Sequence, residues 1–65
     1  MSTSLRAVRD ARGLSREKVA RRLGISAKTI ERMENGETEV KDIHYLAFAA
    51  VYGVPVEELK EEIAA

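Results

Sequence analysis

The chain predicts an all-α fold of five short helices. Three observations carry that prediction. No stretch alternates apolar and polar residues as a half-buried strand would. Serines stand ahead of runs whose apolar residues recur at helical spacing, where a side-chain oxygen can accept from a free backbone N–H. Glycines close several of those runs, where the chain often turns left-handed and only glycine does so without a Cβ penalty.

Taken in order, Ser4 caps a first helix that carries Leu5 and Val8 and ends near Arg12, before Gly13. Ser15 caps a second, Arg16 to Leu23, with Val19, Ala20 and Leu23 facing inward, and Gly24 follows. Ser26 caps a third, Ala27 to Asn35, whose inward residues are Ile30 and Met33, and Gly36 ends it. After the polar link "ETEV" a fourth helix runs from about Lys41 to Tyr52, with Ile43, Tyr45, Phe48, Ala49 and Tyr52 expected in the core. Gly53 stops it, and Pro55, the one proline, sits in the first turn of a fifth helix, where its missing N–H costs nothing.

Sixty-five residues are expected to form a single domain, residues 1–65. Such a chain hides only about 60% of the surface its unfolded form exposes, so efficient helix packing or a partner is needed. With no cysteine and one histidine, a disulfide is impossible and no metal site of the usual four-ligand zinc type is expected. The start, "MSTSLRAVRD", lacks the apolar core of a secretory signal, and "IHYLAFAAVYGV" is too short to span a bilayer. A soluble, cytoplasmic helical domain with no membrane role is the expectation. No cofactor motif, glycine-rich phosphate loop or catalytic triad stands out, so an enzyme is not expected. His44 reads as a surface or interface residue, and Tyr45, Phe48 and Tyr52 read as core.

Net charge is zero, but its distribution is lopsided. Residues 1–32 hold nine basic and three acidic side chains, and residues 33–65 hold two basic and eight acidic. A basic front half suggests a polyanionic partner, unless the halves only attract each other. Between the second and third helices only "GIS" intervenes. A three-residue connection with glycine makes the helices cross steeply, as in a helix-turn-helix. Val19, Leu23, Ile25, Ile30 and Met33 would share one apolar patch, and the small Ala20 lets the third helix pass close over the second.

"LSREKVARRLGISAKTIERMENG" resembles the helix-turn-helix of phage repressors, Cro proteins and their bacterial relatives, and "AFAAVYGVPVEEL" resembles the usual second half of that family. The resemblance covers roughly residues 5–60. It implies a compact five-helix, lambda-repressor-like domain whose third helix enters the DNA major groove, usually as a dimer. Residue by residue, it places base contacts on Ala27, Lys28 and Arg32. It places backbone contacts on Arg16, Ser26, Thr29 and Asn35, with Arg9 beside them. Arg9 and Glu34 match a partly buried ion pair. The chemistry agrees: lysine or arginine on guanine O6 and N7 is the commonest specific major-groove contact, and the Ala27 methyl suits a thymine methyl. Lys28 and Arg32, four apart, share one helix face. Free N–H groups at the starts of the second and third helices suit phosphate oxygens. The chain departs from the pattern after "ENG", where the family offers basic residues and proline and this sequence offers Glu37, Glu39 and Asp42. Those carboxylates weaken a monomer's grip, which makes a dimer more important.

The fourth helix is apolar on more than one face, so part of it is expected to be buried by a second chain. A two-fold homodimer is expected through Leu46, Ala50, Val51, Leu59 and Ile63, on a pseudo-palindromic double-stranded DNA operator. The function expected is sequence-specific DNA binding by a small transcriptional regulator, a repressor. The alternative is a protein-binding module of the same fold, such as an antitoxin gripping its toxin through the acidic fourth and fifth helices.

Overall fold

The structure, a computed structural model, describes residues 4–60. It contains α1 (Ser4–Ala11), α2 (Arg16–Leu23), α3 (Ala27–Glu34), α4 (Asp42–Tyr52) and α5 (Val56–Lys60), and no strand among the described residues. The all-helical class and the five elements agree with the sequence reading.

Local chemistry explains the middle helices. Ser15 Oγ accepts from the Lys18 backbone N–H at 3.1 Å, and Ser26 Oγ accepts from that of Thr29 at 3.1 Å. Each bond satisfies one of the four donors that a helix start leaves without an internal partner. Glu17 in the first turn of α2 and Arg21 and Arg22 in its last turn lie along the helix dipole in the favourable sense. Gly24 then takes φ 72°, and both its own N–H and that of Ile25 reach the Ala20 carbonyl, at 2.9 and 3.2 Å. A Cβ at Gly24 would meet nothing within 4 Å, so backbone conformation alone requires glycine there.

Five boundaries move. Ser4 is buried inside α1 rather than capping it, and Arg12 falls just past that helix. Asn35 is the C-cap of α3, one residue beyond its end. Lys41 is the N-cap of α4, and lysine has no acceptor to offer; His44 Nδ1 instead accepts from the Lys41 backbone N–H at 3.2 Å. Pro55 precedes α5, with its carbonyl accepting from Glu58 N at 3.1 Å.

One core joins all five helices: Leu5 from α1, Val19 and Ala20 from α2, Ile30 and Met33 from α3, Phe48, Ala49 and Tyr52 from α4, and Leu59 from α5. Phe48 and Tyr52, one turn apart, stack with ring centroids 5.9 Å apart. α2 packs on α3, and α1, α4 and α5 pack on one another behind them. Lys60 Nζ reaches Asp42 Oδ1 at 3.1 Å and lies 5.4 Å from the centre of the Tyr45 ring, which fastens α5 to the start of α4.

Two expectations about this core fail. Ile43, expected inside, is 70% exposed. It lies one residue past the start of α4, and Phe48, Ala49 and Tyr52 define the buried face instead. Leu59, expected at an interface between chains, is 2% exposed because the core against α1 and α4 absorbs it.

Tyr52 closes the core with a polar atom. Among the described residues its Oη is buried and has no hydrogen-bond partner. Burial pushes its pKa up to about 12; the nearby Glu34 charge adds to the rise and Arg9 opposes it. A folded-state pKa raised above the ordinary value of about 10 stabilises the fold below pH 10, and that stabilisation is lost as pH rises toward 12. Tyr52→Phe is therefore expected to melt within about 1 kcal/mol of the parent at pH 7, since it removes a buried unpaired hydroxyl. It should also lose less stability than the parent between pH 10 and 12. Paired thermal melts across that range check both points, and parallel pH profiles would exclude the Tyr52 contribution.

Candidate nucleic-acid interface

The site is built on α3, whose two sides differ in kind. Ile30, Met33 and Glu34 are buried, whereas Lys28 and Arg32 are exposed. The helix is thus fixed by one face and offers two cations on another. Lys28 Nζ lies 3.7 Å from Glu31 Oε2, an exposed pair that competes poorly with a multivalent anion.

Glu34, the last residue of α3, holds that face down. Its side chain is 1% exposed, and Arg9 from α1 meets it with two bonds, Nε to Oε2 at 2.6 Å and Nη2 to Oε1 at 3.2 Å. The fork-to-carboxylate geometry is among the strongest neutral-pH side-chain contacts. Arg9 also donates through Nη1 to the Leu14 carbonyl at 2.8 Å, which sets the loop between α1 and α2. The hydrogen bond to Glu34 raises the Arg9 pKa further, against the desolvation that burial imposes. From α2, Arg16 Nε donates to the same Glu34 Oε1 at 2.9 Å. One carboxylate therefore ties three helices together.

A helix-turn-helix domain family model matches residues 1–61. The chain belongs to that family. Comparison with curated proteins finds no matching relative. Membership carries DNA binding by a small regulator as the function, and domains of this helix-turn-helix family are typically not enzymes. No helix among the described residues is long and apolar enough to cross a membrane.

The remaining predicted site residues fall in four groups. Ser26 and Thr29 lie at the start of α3, their hydroxyls 2.8 Å apart, and Ser26 is occupied as the helix cap. Asn35 is exposed, with Nδ2 donating to Glu37 at 3.3 Å. That bond turns one of the three unexpected carboxylates onto the protein, and Lys60 takes up Asp42. Ala27 is half-buried and packs on the core, so its methyl serves the fold as well as the surface. Arg9 is 8% exposed by side chain and spent on Glu34, Leu14 and Asp10, so its placement beside the DNA backbone is corrected: it is an internal tie.

Sequence reasoning missed the Arg16–Glu34 bond, because eighteen residues separate partners that meet only once α2 and α3 have packed. It also left Lys18, Arg21 and Arg22 unassigned, although all three are exposed on α2. The charge asymmetry was the signal for them. Among the described residues, the ion pairs joining the basic front half to the acidic rear half converge on Glu34, so the halves do not simply neutralise each other.

Glu34→Ala leaves two arginines without their shared carboxylate. Removing one partner of a buried pair costs about 3–5 kcal/mol. That is a large part of the roughly 5–15 kcal/mol that holds a domain folded. The variant should be largely unfolded, or melt well below the parent, by circular dichroism; a melting temperature equal to the parent's would show the pair to be energetically idle.

Proposed function

We propose that the protein is a sequence-specific double-stranded DNA-binding regulator that reads the major groove with α3 and acts as a repressor. The observation carrying this reading is the two-sided α3: three buried residues lock it to the scaffold while Lys28 and Arg32, one turn apart, stand exposed. Lys28 and Arg32 are assigned to base edges, with Ala27 alongside. Arg16, Ser26, Thr29 and Asn35 are assigned to the backbone. Repression follows from occupancy, since a small domain seated on a site blocks other proteins from it.

The reading includes a homodimer. Ile43 and Leu46 are 70% and 60% exposed, and Ala50 is exposed one turn beyond Leu46 on the same helix. Burying a leucine or isoleucine side chain is worth about 1.5–3 kcal/mol, so this strip of α4 is costly to leave in water. A two-fold axis there pairs the strip with itself and sets two copies of α3 about 34 Å apart, one turn of a pseudo-palindromic duplex. Val51, half-buried against the core, lies at the edge of the strip, and Leu59 is withdrawn from the contact. Ile63 lies outside the described residues. The same strip supports a second reading, in which α4 and α5 grip a different protein as an antitoxin grips its toxin.

Two experiments test these assignments. Lys28→Ala and Arg32→Ala should each cost about 1–3 kcal/mol on the cognate site and relax preference at one base pair per half-site. Equal losses on all sequences would move both residues to the backbone. Sedimentation at micromolar concentration should give a dimer, with or without DNA, that Leu46→Glu converts to monomer. A parent that stays monomeric in both conditions would favour the second reading.

A further inference from the structure

We propose that Glu34 is a positioning residue for DNA binding: through the Arg16 Nε–H it sets the Arg16 guanidinium in place to meet a backbone phosphate. The inference rests on the DNA-binding reading above and adds a role that the fold does not require of Glu34. Arg9 already meets both of its oxygens, and that pair alone ties α1 to α3. Yet Oε1 also accepts from Arg16 at 2.9 Å. The Arg16 side chain remains 29% exposed while its partner is 1% exposed, so the pair spans the boundary between core and solvent.

Arginine suits that position and lysine does not. A guanidinium carries five N–H donors in a rigid plane, so Nε can be spent on a buried carboxylate while the terminal nitrogens meet a second anion. A lysine ammonium is a single point charge on a flexible stem, and held by Glu34 it is drawn away from solvent. Fixing the long side chain before binding also removes part of the ordering cost that an unrestrained arginine pays at an interface. The anchoring carboxylate stands on α3, the helix that carries Lys28 and Arg32. The phosphate contact and the base-reading residues are therefore set in register with each other by one group.

The test is a double-mutant cycle on DNA affinity, run with the full chain at a temperature where circular dichroism shows each variant folded. Parent, Arg16→Ala, Arg16→Lys, Glu34→Gln and the Arg16→Ala/Glu34→Gln pair are titrated against the same duplexes over a range of salt. Arg16→Ala should bind all sequences roughly tenfold more weakly and lower the salt slope by about one phosphate. Arg16→Lys keeps the charge but should lose nearly as much. In the Glu34→Gln background Arg16→Ala should cost no more than about twofold, since the guanidinium is no longer held there. An Arg16→Lys variant that binds as the parent does, or an equal cost of Arg16→Ala in both backgrounds, would overturn the positioning role. Should Glu34→Gln not fold, the Arg16→Lys comparison decides alone. A loss of stability by itself would not produce this pattern. A parent that binds no duplex would overturn the DNA-binding reading and this role with it, whereas a parent that binds with additive mutants overturns this role only.

Discussion

A single buried carboxylate organises this domain. Glu34 ends α3, takes a two-point contact from Arg9 on α1 and a third bond from Arg16 at the start of α2, and lends its charge to the environment of Tyr52 on α4. Burying a charge is expensive unless it is paired and hydrogen-bonded, and here both arginines supply that compensation. A well-packed hydrophobic cluster in place of Glu34 and both arginines would hold the helices about as well. What it would lack is direction: a carboxylate accepts along defined lines, so α1, α2 and α3 are brought to one relative placement. If, as proposed, the domain works by presenting α3 to DNA, placement matters as much as stability.

The rest of the structure serves the same end. α3 is eight residues long, too short to persist alone in water, so its form depends on the core that receives Ile30 and Met33. Ser26 starts it and Gly24 turns the chain into it. With one face fixed, the exposed Lys28 and Arg32 project from a rigid element, which suits the proposed base readout better than a loop would. Two carboxylates of the acidic rear half are taken up by local ties, Glu37 by Asn35 and Asp42 by Lys60.

Elements and fold class were legible in the residues because their signals are local. Serine caps, glycine stops and helical spacing each act within a turn or two, and α2 and α3 were read to within a residue. Helix starts were less legible where the cap departs from the usual chemistry, as with Lys41 assisted by His44, or where Ser4 lies inside α1 rather than ahead of it. The apolar α4 offered no polar face to mark which side is buried, so Ile43 was misplaced. Leu59 was misassigned for the related reason that one apolar helix face can be covered by its own chain or by another. The exposed cations of α3 were found from spacing and resemblance together. The Arg16–Glu34 bond was invisible, because no local pattern links the start of one helix to the end of the next.

On the proposed reading, the scaffold fixes α3 so that its exposed residues read a DNA sequence. Selection of bound duplexes from a random pool tests it most directly. Enrichment of an inverted repeat with half-site centres about one helical turn apart is the expected result. Recovery of unenriched random sequence, from a protein shown to be folded, would contradict it.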